Sequence, residues 1–520
     1  MNTTTMTPSE ALAQGLAHHQ AGRFDEAEAC YLDVLGSDST NTEAMKLLAL
    51  LAVAREDLDE ALSYAEAAVT LAPNKGDYLH LKGRIQTDRH DLDGALASLQ
   101  AAVTKNPSDM LDLDLDIATC HGERGEWDLA LQYAQKALAT HPYDLRALHA
   151  AAHAAMACGR DGEAKEYLDR ALSLSPDDTA LLAGAAKLAR KSGDLYSAWM
   201  LAERGYAASP DDADAHYMVR IIRGEAVPAW HFNMMNDAER NAAFKQALTR
   251  NLKAGDVVLE VGTGAGLLAM MAARTGARVY TCESNPAIAL TARGIVAHNN
   301  MADKVTVIEK PSWEVEVGRD LPRPADVLIA EIFSAQFLSE DVLPSLEDAK
   351  RRLLKPGGRV IPSAGSIMGA LVENAELGEL TRVSTVEGFD FSSFNAYTPL
   401  IMNMDTPNYA VTWLSEPTAL LDFDFQTPHD TPAETITLDL PVTKAGLCQG
   451  VVQWLRLMLD AETPYENAPG GAKATRTKHW TPHFYPFVRP MELKPGQVVR
   501  LRVGHDRKGV RIELAGIDES

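Results

Sequence analysis

The sequence predicts a multidomain chain: an all-α repeat array, then an α/β domain on a parallel sheet, then an antiparallel β domain. Three observations carry this. Alanine and proline recur at a period near 34 residues through the first 210 positions. Short apolar runs alternate with helical stretches between residues 257 and 362. From Ala364 onward, runs such as SIMGALVE, TALLDFDF, ETITLDLP and VRIELAG alternate or run apolar between Pro, Gly and Asn turns. The expected boundaries are 1–222, 223–364 and 365–520.

Composition fits this division and excludes several classes. A chain of 520 residues has room for roughly three domains, each with its own core. Hydrophobic (46%) and charged (23%) fractions are ordinary for globular protein. The net charge is −23; residues 1–224 carry 35 acidic and 20 basic side chains against 37 and 29 in the remainder, so acidity is concentrated at the front. Nucleic acid is excluded as a partner, because a phosphate backbone demands clustered Lys and Arg. A cationic partner would be attracted over a screening length of ~8 Å; the same charge also serves plain solubility. Five cysteines lie far apart with no CxxC pair, which predicts neither a metal site nor a disulfide framework and fits a reducing compartment. No basic and apolar leader and no membrane-length apolar run is present, so a cytoplasmic location without a membrane partner is expected.

In the repeat array Ala27, Ala61, Ala95, Ala130, Ala164 and Ala198 recur at spacings of 34, 34, 35, 34 and 34. Pro73, Pro107, Pro142, Pro176 and Pro210 follow the last five by twelve residues, and Gly15 and Gly83 precede Ala27 and Ala95 by twelve. Each unit reads as two helices: small residues let them approach closely, and proline stops the second. The units resemble tetratricopeptide (TPR) repeats in six copies, the first with Ser39 where proline is expected. Such units bury their apolar faces only by stacking into a solenoid with a groove. The resemblance implies a protein partner in that groove, a spacer or dimerisation element being the alternative. His18, His19 and His153 have no companion ligand at metal spacing.

The α/β domain is organised around residues 257–270, VVLEVGTGAGLLAM: a buried strand, a turn with Gly262, Gly264 and Gly266, and a helix start. Glycines there admit a ligand where a Cβ would clash, and the helix offers free N–H groups. Glu283 ends the second strand, nineteen residues after Gly264, where a ribose diol is usually held. Two cofactor readings follow. Gly264, Gly266 and Ala269 form a GxGxxA match that suggests a dinucleotide; Glu260 ahead of the turn gives the E-x-G-x-G-x-G form seen in S-adenosylmethionine (SAM) enzymes. The stretch HFNMMNDAERNAAFKQAL reads as one amphipathic helix ahead of the first strand. Helices are predicted over 286–299 and 343–354, strands over 305–309, 326–332 and, after the Pro356-Gly357-Gly358 turn, 359–362.

Glu331 ends a buried strand and Glu340 follows nine residues on. Paired carboxylates match the planar donor fork of a guanidinium. With VLEVGTGAGLLAM and Glu283, this E-x8-E loop resembles the double-glutamate loop of protein arginine N-methyltransferases. MMNDAERN is similar to that family's M-x-x-D-x-x-R helix, and Thr477-Lys478-His479-Trp480 to its THW loop. The resemblance, over residues 230–520, implies a role for each match. Gly262, Gly264 and Gly266 would line SAM with Glu260 beside them, Glu283 would take the ribose hydroxyls, Arg240 the cofactor's carboxylate, and Ser312 and Trp313 the adenine. Glu331 and Glu340 would clamp the substrate guanidinium, Asp237 and His479 would pass on the released proton, and Trp480 would wall the arginine channel.

The resemblance also makes the C-terminal part a β-barrel with a helical dimerisation arm at about 389–413, hence a homodimer. The loop EIFSAQFLSE lacks the family's common Trp-Met-Gly-Tyr, which places the chain nearer the monomethylating branch; another branch carries TPR repeats. The expected activity is methylation of arginine in a protein or peptide recruited by the TPR array. A SAM-dependent methyltransferase of a non-arginine acceptor and an inactive TPR adaptor are the alternatives.

Overall fold

The computed structural model describes residues 6–105, 107–404, 411–469 and 480–518. Internal contacts divide it into two units, Met1–Arg223 and Gly224–Ser520.

In the first unit, described helices pair antiparallel in six repeats. They are α1 (Pro8–Gln20) with α2 (Phe24–Ser37), α3 (Thr42–Ala54) with α4 (Leu58–Leu71), and α5 (Gly76–Asp88) with α6 (Leu92–Val103). Then follow α7 (Met110–Glu123) with α8 (Trp127–Thr140), α9 (Leu145–Ala157) with α10 (Asp161–Leu174), and α11 (Thr179–Lys191) with α12 (Leu195–Ala208). The periodic alanines are buried because each lies at a helix crossing. A Cβ on Gly83 would fall 2.6 Å from Leu99 Cγ. Arg55, Arg89, Arg124, Arg160 and Lys191 each reach back to an acid of the preceding unit: Asp25, Asp59, Asp93, Asp128 and Asp161. This ladder repeats with the helices.

The second unit begins within α13 (Ala213–Ala226) and continues in α14 (Trp230–Asn236) and α15 (Ala238–Asn251). The single helix expected here is two, because Asp237 turns out of helical geometry at ψ 91° and caps α15 with its carboxylate. Next come β1 (Val257–Val261), α16 (Leu267–Ala273), β2 (Arg278–Glu283), α17 (Pro286–His298), β3 (Val305–Glu309), β4 (Ala325–Ala330), α18 (Val342–Arg352) and β5 (Leu354–Ile361). The strands form one parallel sheet in the order β3-β2-β1-β4-β5. Strand order reverses beside β1, and the crevice outside the strands' carboxyl ends at that point is where such sheets bind ligands. Strand β5 starts before the expected Pro356-Gly357-Gly358 turn and accommodates it through a register shift against β4.

The C-terminal part contains β6 (Ala364–Glu373), α19 (Ala375–Thr381), β7 (Thr385–Val386), β8 (Phe389–Asp390), β9 (Met402–Asn403), β10 (Thr412–Trp413), β11 (Thr418–Asp424) and β12 (Glu434–Pro441). It ends in β13 (Gly446–Met458), β14 (Pro464–Glu466), β15 (His483–Leu493), β16 (Val498–His505) and β17 (Val510–Asp518). Three antiparallel sheets result among the described residues: β10-β6-β13-β15-β9 with β11 on β6 and β14 on β13, then β12-β16-β17, and the two-stranded β7-β8. No closed barrel of strands is formed among the described residues. Where a helical arm was expected, the described part of 389–413 holds one 3-10 turn, Ser392–Tyr397, between two-residue strands. Among the described residues no helix is long and apolar enough to cross a membrane, and no three His, Cys, Asp or Glu could hold a metal ion.

Candidate active site

Gly262, Gly264 and Gly266 all take positive φ, 85°, 50° and 81°, which side chains disfavour. The turn so made opens α16 and floors a cleft of about 470 Å³ at the carboxyl ends of β1, β2 and β4. The cleft is lined by Arg240, Glu260, Gly262, Gly264, Glu283, Ser312, Trp313, Glu331 and Glu340, while Gly266 lies in the turn but not among the lining residues. Trp230 and His231, stacked 3.8 Å apart, and Met234 line it from α14; Met234 opens the M-x-x-D-x-x-R match, whereas Trp230 and His231 carry no sequence motif.

Glu283 accepts hydrogen bonds from the N–H groups of Gly264 (3.1 Å) and Asn285 (2.9 Å), so the acid at the end of β2 is tied to the glycine turn. Ser312 is buried and Trp313 exposed, and both line the cleft. Glu260 is buried beneath the turn and accepts a 2.5 Å hydrogen bond from Thr281, which itself bonds Thr263. Burial pushes its carboxyl up to about 8; Thr281 and the Arg240 charge oppose this, while Glu331 and Glu283 add to it.

Arg240 is fully buried, and its Nη2 donates to Glu331 Oε2. Nη1 donates to Asn241 (2.9 Å), the guanidinium lies 5.2 Å over the Phe244 ring, and Nε is a buried donor without a partner. Thus the acid expected to receive a substrate guanidinium holds the chain's own. Burial raises the Glu331 carboxyl; Arg240 opposes, and Glu340 and Asp237 add. Glu340 sits at the cleft mouth, exposed, with its carboxyl also raised by partial burial.

Asp237 Oδ1 accepts the Arg240 N–H at 2.9 Å and Oδ2 accepts the Tyr465 hydroxyl at 2.8 Å. Tyr465 had no sequence signal: it lies 228 residues away on β14. His479, expected beside Asp237, lies outside the described residues. Trp480 is buried, its ring 5.6 Å from Tyr465 and its Nε1 donating to the Phe333 carbonyl at 2.6 Å. Phe333 belongs to the loop between the two glutamates, so Trp480 ties that loop to the β region, but Trp480 itself is not among the residues lining the cleft.

A TPR family model matches residues 12–75 and 80–144, and a second one residues 122–188. The family model of ribosomal protein L11 methyltransferase matches residues 244–374. Among curated relatives, the arginine N(omega)-methyltransferase of Streptomyces achromogenes subsp. streptozoticus is 38% identical over 305 residues, covering 58% of this chain and 82% of that one. Protein arginine N-methyltransferase 7 of Oryza sativa subsp. indica is 28% identical over 335 residues, 56% of this chain and 45% of that one, so the chain spans under half the length of that relative. Among solved structures, a Trypanosoma brucei PRMT1 enzyme–prozyme complex aligns at a TM-score of 0.49 with 20% identity, over 56% of this chain and 95% of that one. The extent of the Streptomyces match is decisive: the chain belongs to the arginine N-methyltransferase family.

Proposed function

We propose that this protein transfers a methyl group from SAM to a guanidinium nitrogen of arginine in a protein or peptide. The cleft fits the cofactor. The glycine turn leaves space where a Cβ on Gly262 would press within 2.6 Å of Ile332, and Arg240 Nε is a buried donor lacking an acceptor, suited to a carboxylate. Gly262, Gly264 and Gly266 would hold SAM with Glu260 beneath, Glu283 at the ribose, Ser312 and Trp313 at the adenine, and Arg240 at the carboxylate. Bound SAM supplies an electrophilic methyl group on sulfur.

The residues of the chain supply the rest. A guanidinium stays protonated (pKa above about 12) and is a poor nucleophile. Glu331 and Glu340 would bind its N–H donors, draw positive charge toward the bound nitrogens and fix the remaining nitrogen for attack. Asp237 and His479 would take up the released proton, with Trp480 behind the acceptor channel. One observation carries the reading: Glu331, in the same cleft as the glycine turn, already binds a guanidinium, that of Arg240. The acidic TPR unit would recruit a cationic acceptor protein by charge attraction. The working form would be a cytoplasmic homodimer joined through the segment near 389–413.

A second reading has its own support: the Streptomyces relative is named for arginine itself, which favours free arginine as acceptor. Incubation of the full chain with labelled SAM separates the cases, using an Arg-rich polypeptide, its Arg→Lys version and free arginine. Label should appear as methylarginine in the polypeptide and be absent from the Lys version. Glu331→Gln should lower kcat by ~10²–10³, the scale of losing a charge aimed at the reacting centre, and leave the SAM Kd within a few-fold. Transfer to the Lys version removes the arginine assignment, transfer to free arginine alone moves it to the second reading, and no transfer at all favours the adaptor.

A further inference from the structure

The helix that carries Arg240 is strapped along its length by one hairpin of the β region. At the far end of α15, Arg250 Nη1 donates to both oxygens of Asp460 (3.0 Å each) and to Thr463 (2.9 Å), and Asn251 donates to Asp460 at 2.7 Å. At the near end Tyr465, paired with Leu457 across β13–β14, donates its hydroxyl to the cap carboxylate of Asp237. Tyr465 is 5% exposed and its ring packs on Trp480. A closed circuit results: Tyr465 to Asp237, Asp237 to the Arg240 N–H, Arg240 to Glu331, and, two residues beyond Glu331, Phe333 to Trp480 and back to Tyr465.

We infer that Tyr465 is a positioning residue of the transfer reaction: its hydroxyl fixes the Asp237 cap, and through Arg240 it sets the orientation of Glu331. This rests on the proposed role of Glu331 as the acceptor's anchor. The chemistry favours the assignment because a hydroxyl donated to a buried carboxylate is a strong, directional bond, and Asp237 is 3% exposed, so no water replaces it freely. Loss of the bond lets the first turn of α15 shift, and a small displacement of a positioning group is costly to rate.

The test uses full-length Tyr465→Phe, which removes one oxygen and keeps the ring. Methyl transfer should fall about tenfold in kcat, with the acceptor KM and SAM Kd within about twofold. Combined with Asp237→Asn, the double variant should lose no more than Asp237→Asn alone, since Tyr465 acts only through Asp237. Asp460→Asn, at the other end of the same helix, should lower the melting temperature while leaving kcat near wild type. An unchanged kcat in Tyr465→Phe, additive losses in the double variant, or a kcat loss in Asp460→Asn matching that of Tyr465→Phe each overturns the inference. If Glu331→Gln remains active, the underlying reading of the site fails instead; if Glu331→Gln is inactive and Tyr465→Phe is not, only the role of Tyr465 falls.

Discussion

Glu260 lies in the floor of the cleft with its carboxyl pushed up to about 8, chiefly by burial. The folded protein therefore keeps a proton that the unfolded chain releases near 4.5. Its contribution to stability is fully present below that value and is lost as pH rises toward about 8. A cationic ligand beside it favours the ionised form, so SAM binding should release a proton. Affinity, measured by calorimetry between pH 6 and 9, should rise by up to ~10-fold per pH unit and level off above about 8. Glu260→Gln should flatten that slope; a wild-type Kd independent of pH would refute the linkage. The position of Glu260 was legible in the E-x-G-x-G-x-G run. Its raised pKa was not, because burial, its main cause, is set by how distant segments pack around the carboxyl, with Glu331 and Glu283 adding to the shift and Arg240 opposing it.

The repeat helices were legible because close helix packing needs small side chains at fixed offsets, and those offsets recur in the sequence. Gly83 tests this. It has no unusual φ, so its glycine serves space alone, a Cβ there falling 2.6–2.7 Å from the Leu99 side chain. Gly83→Ala should cost about 1–3 kcal/mol by urea denaturation, as overpacking does. Gly36→Ala, with nothing within 4 Å, should be neutral or slightly stabilising by comparison. Equal effects of the two would contradict the packing account. The break at Asp237 was less legible: apolar periodicity runs through both α14 and α15, and only the cap carboxylate turned toward Arg240 divides them. The ladder of Arg and Lys onto Asp likewise has the period of the repeat, but charges are too frequent in this unit for spacing to single it out.

For the whole molecule, the proposed dimer has a physical candidate contact. Phe389, Phe394, Tyr397 and Leu400 are 70%, 64%, 78% and 89% exposed on one short segment, an apolar density that a single chain seldom leaves in water. Sedimentation should show a dimer, and Phe394→Ser with Tyr397→Ser should shift it toward monomer with reduced methyl transfer; a wild-type monomer with full activity would refute it. The sequence by itself determined what is periodic or local: the stacked helical repeats, the strand–glycine turn–helix unit, and two glutamates nine residues apart. Tertiary structure alone decided that Arg240 meets Glu331 across 91 residues, that Tyr465 meets Asp237 across 228, and that Trp480 holds the Phe333 carbonyl across 147. Hydrogen bonds act over about 3 Å, so these partners are set by which segments folding brings within reach, and spacing along the chain carries no record of that.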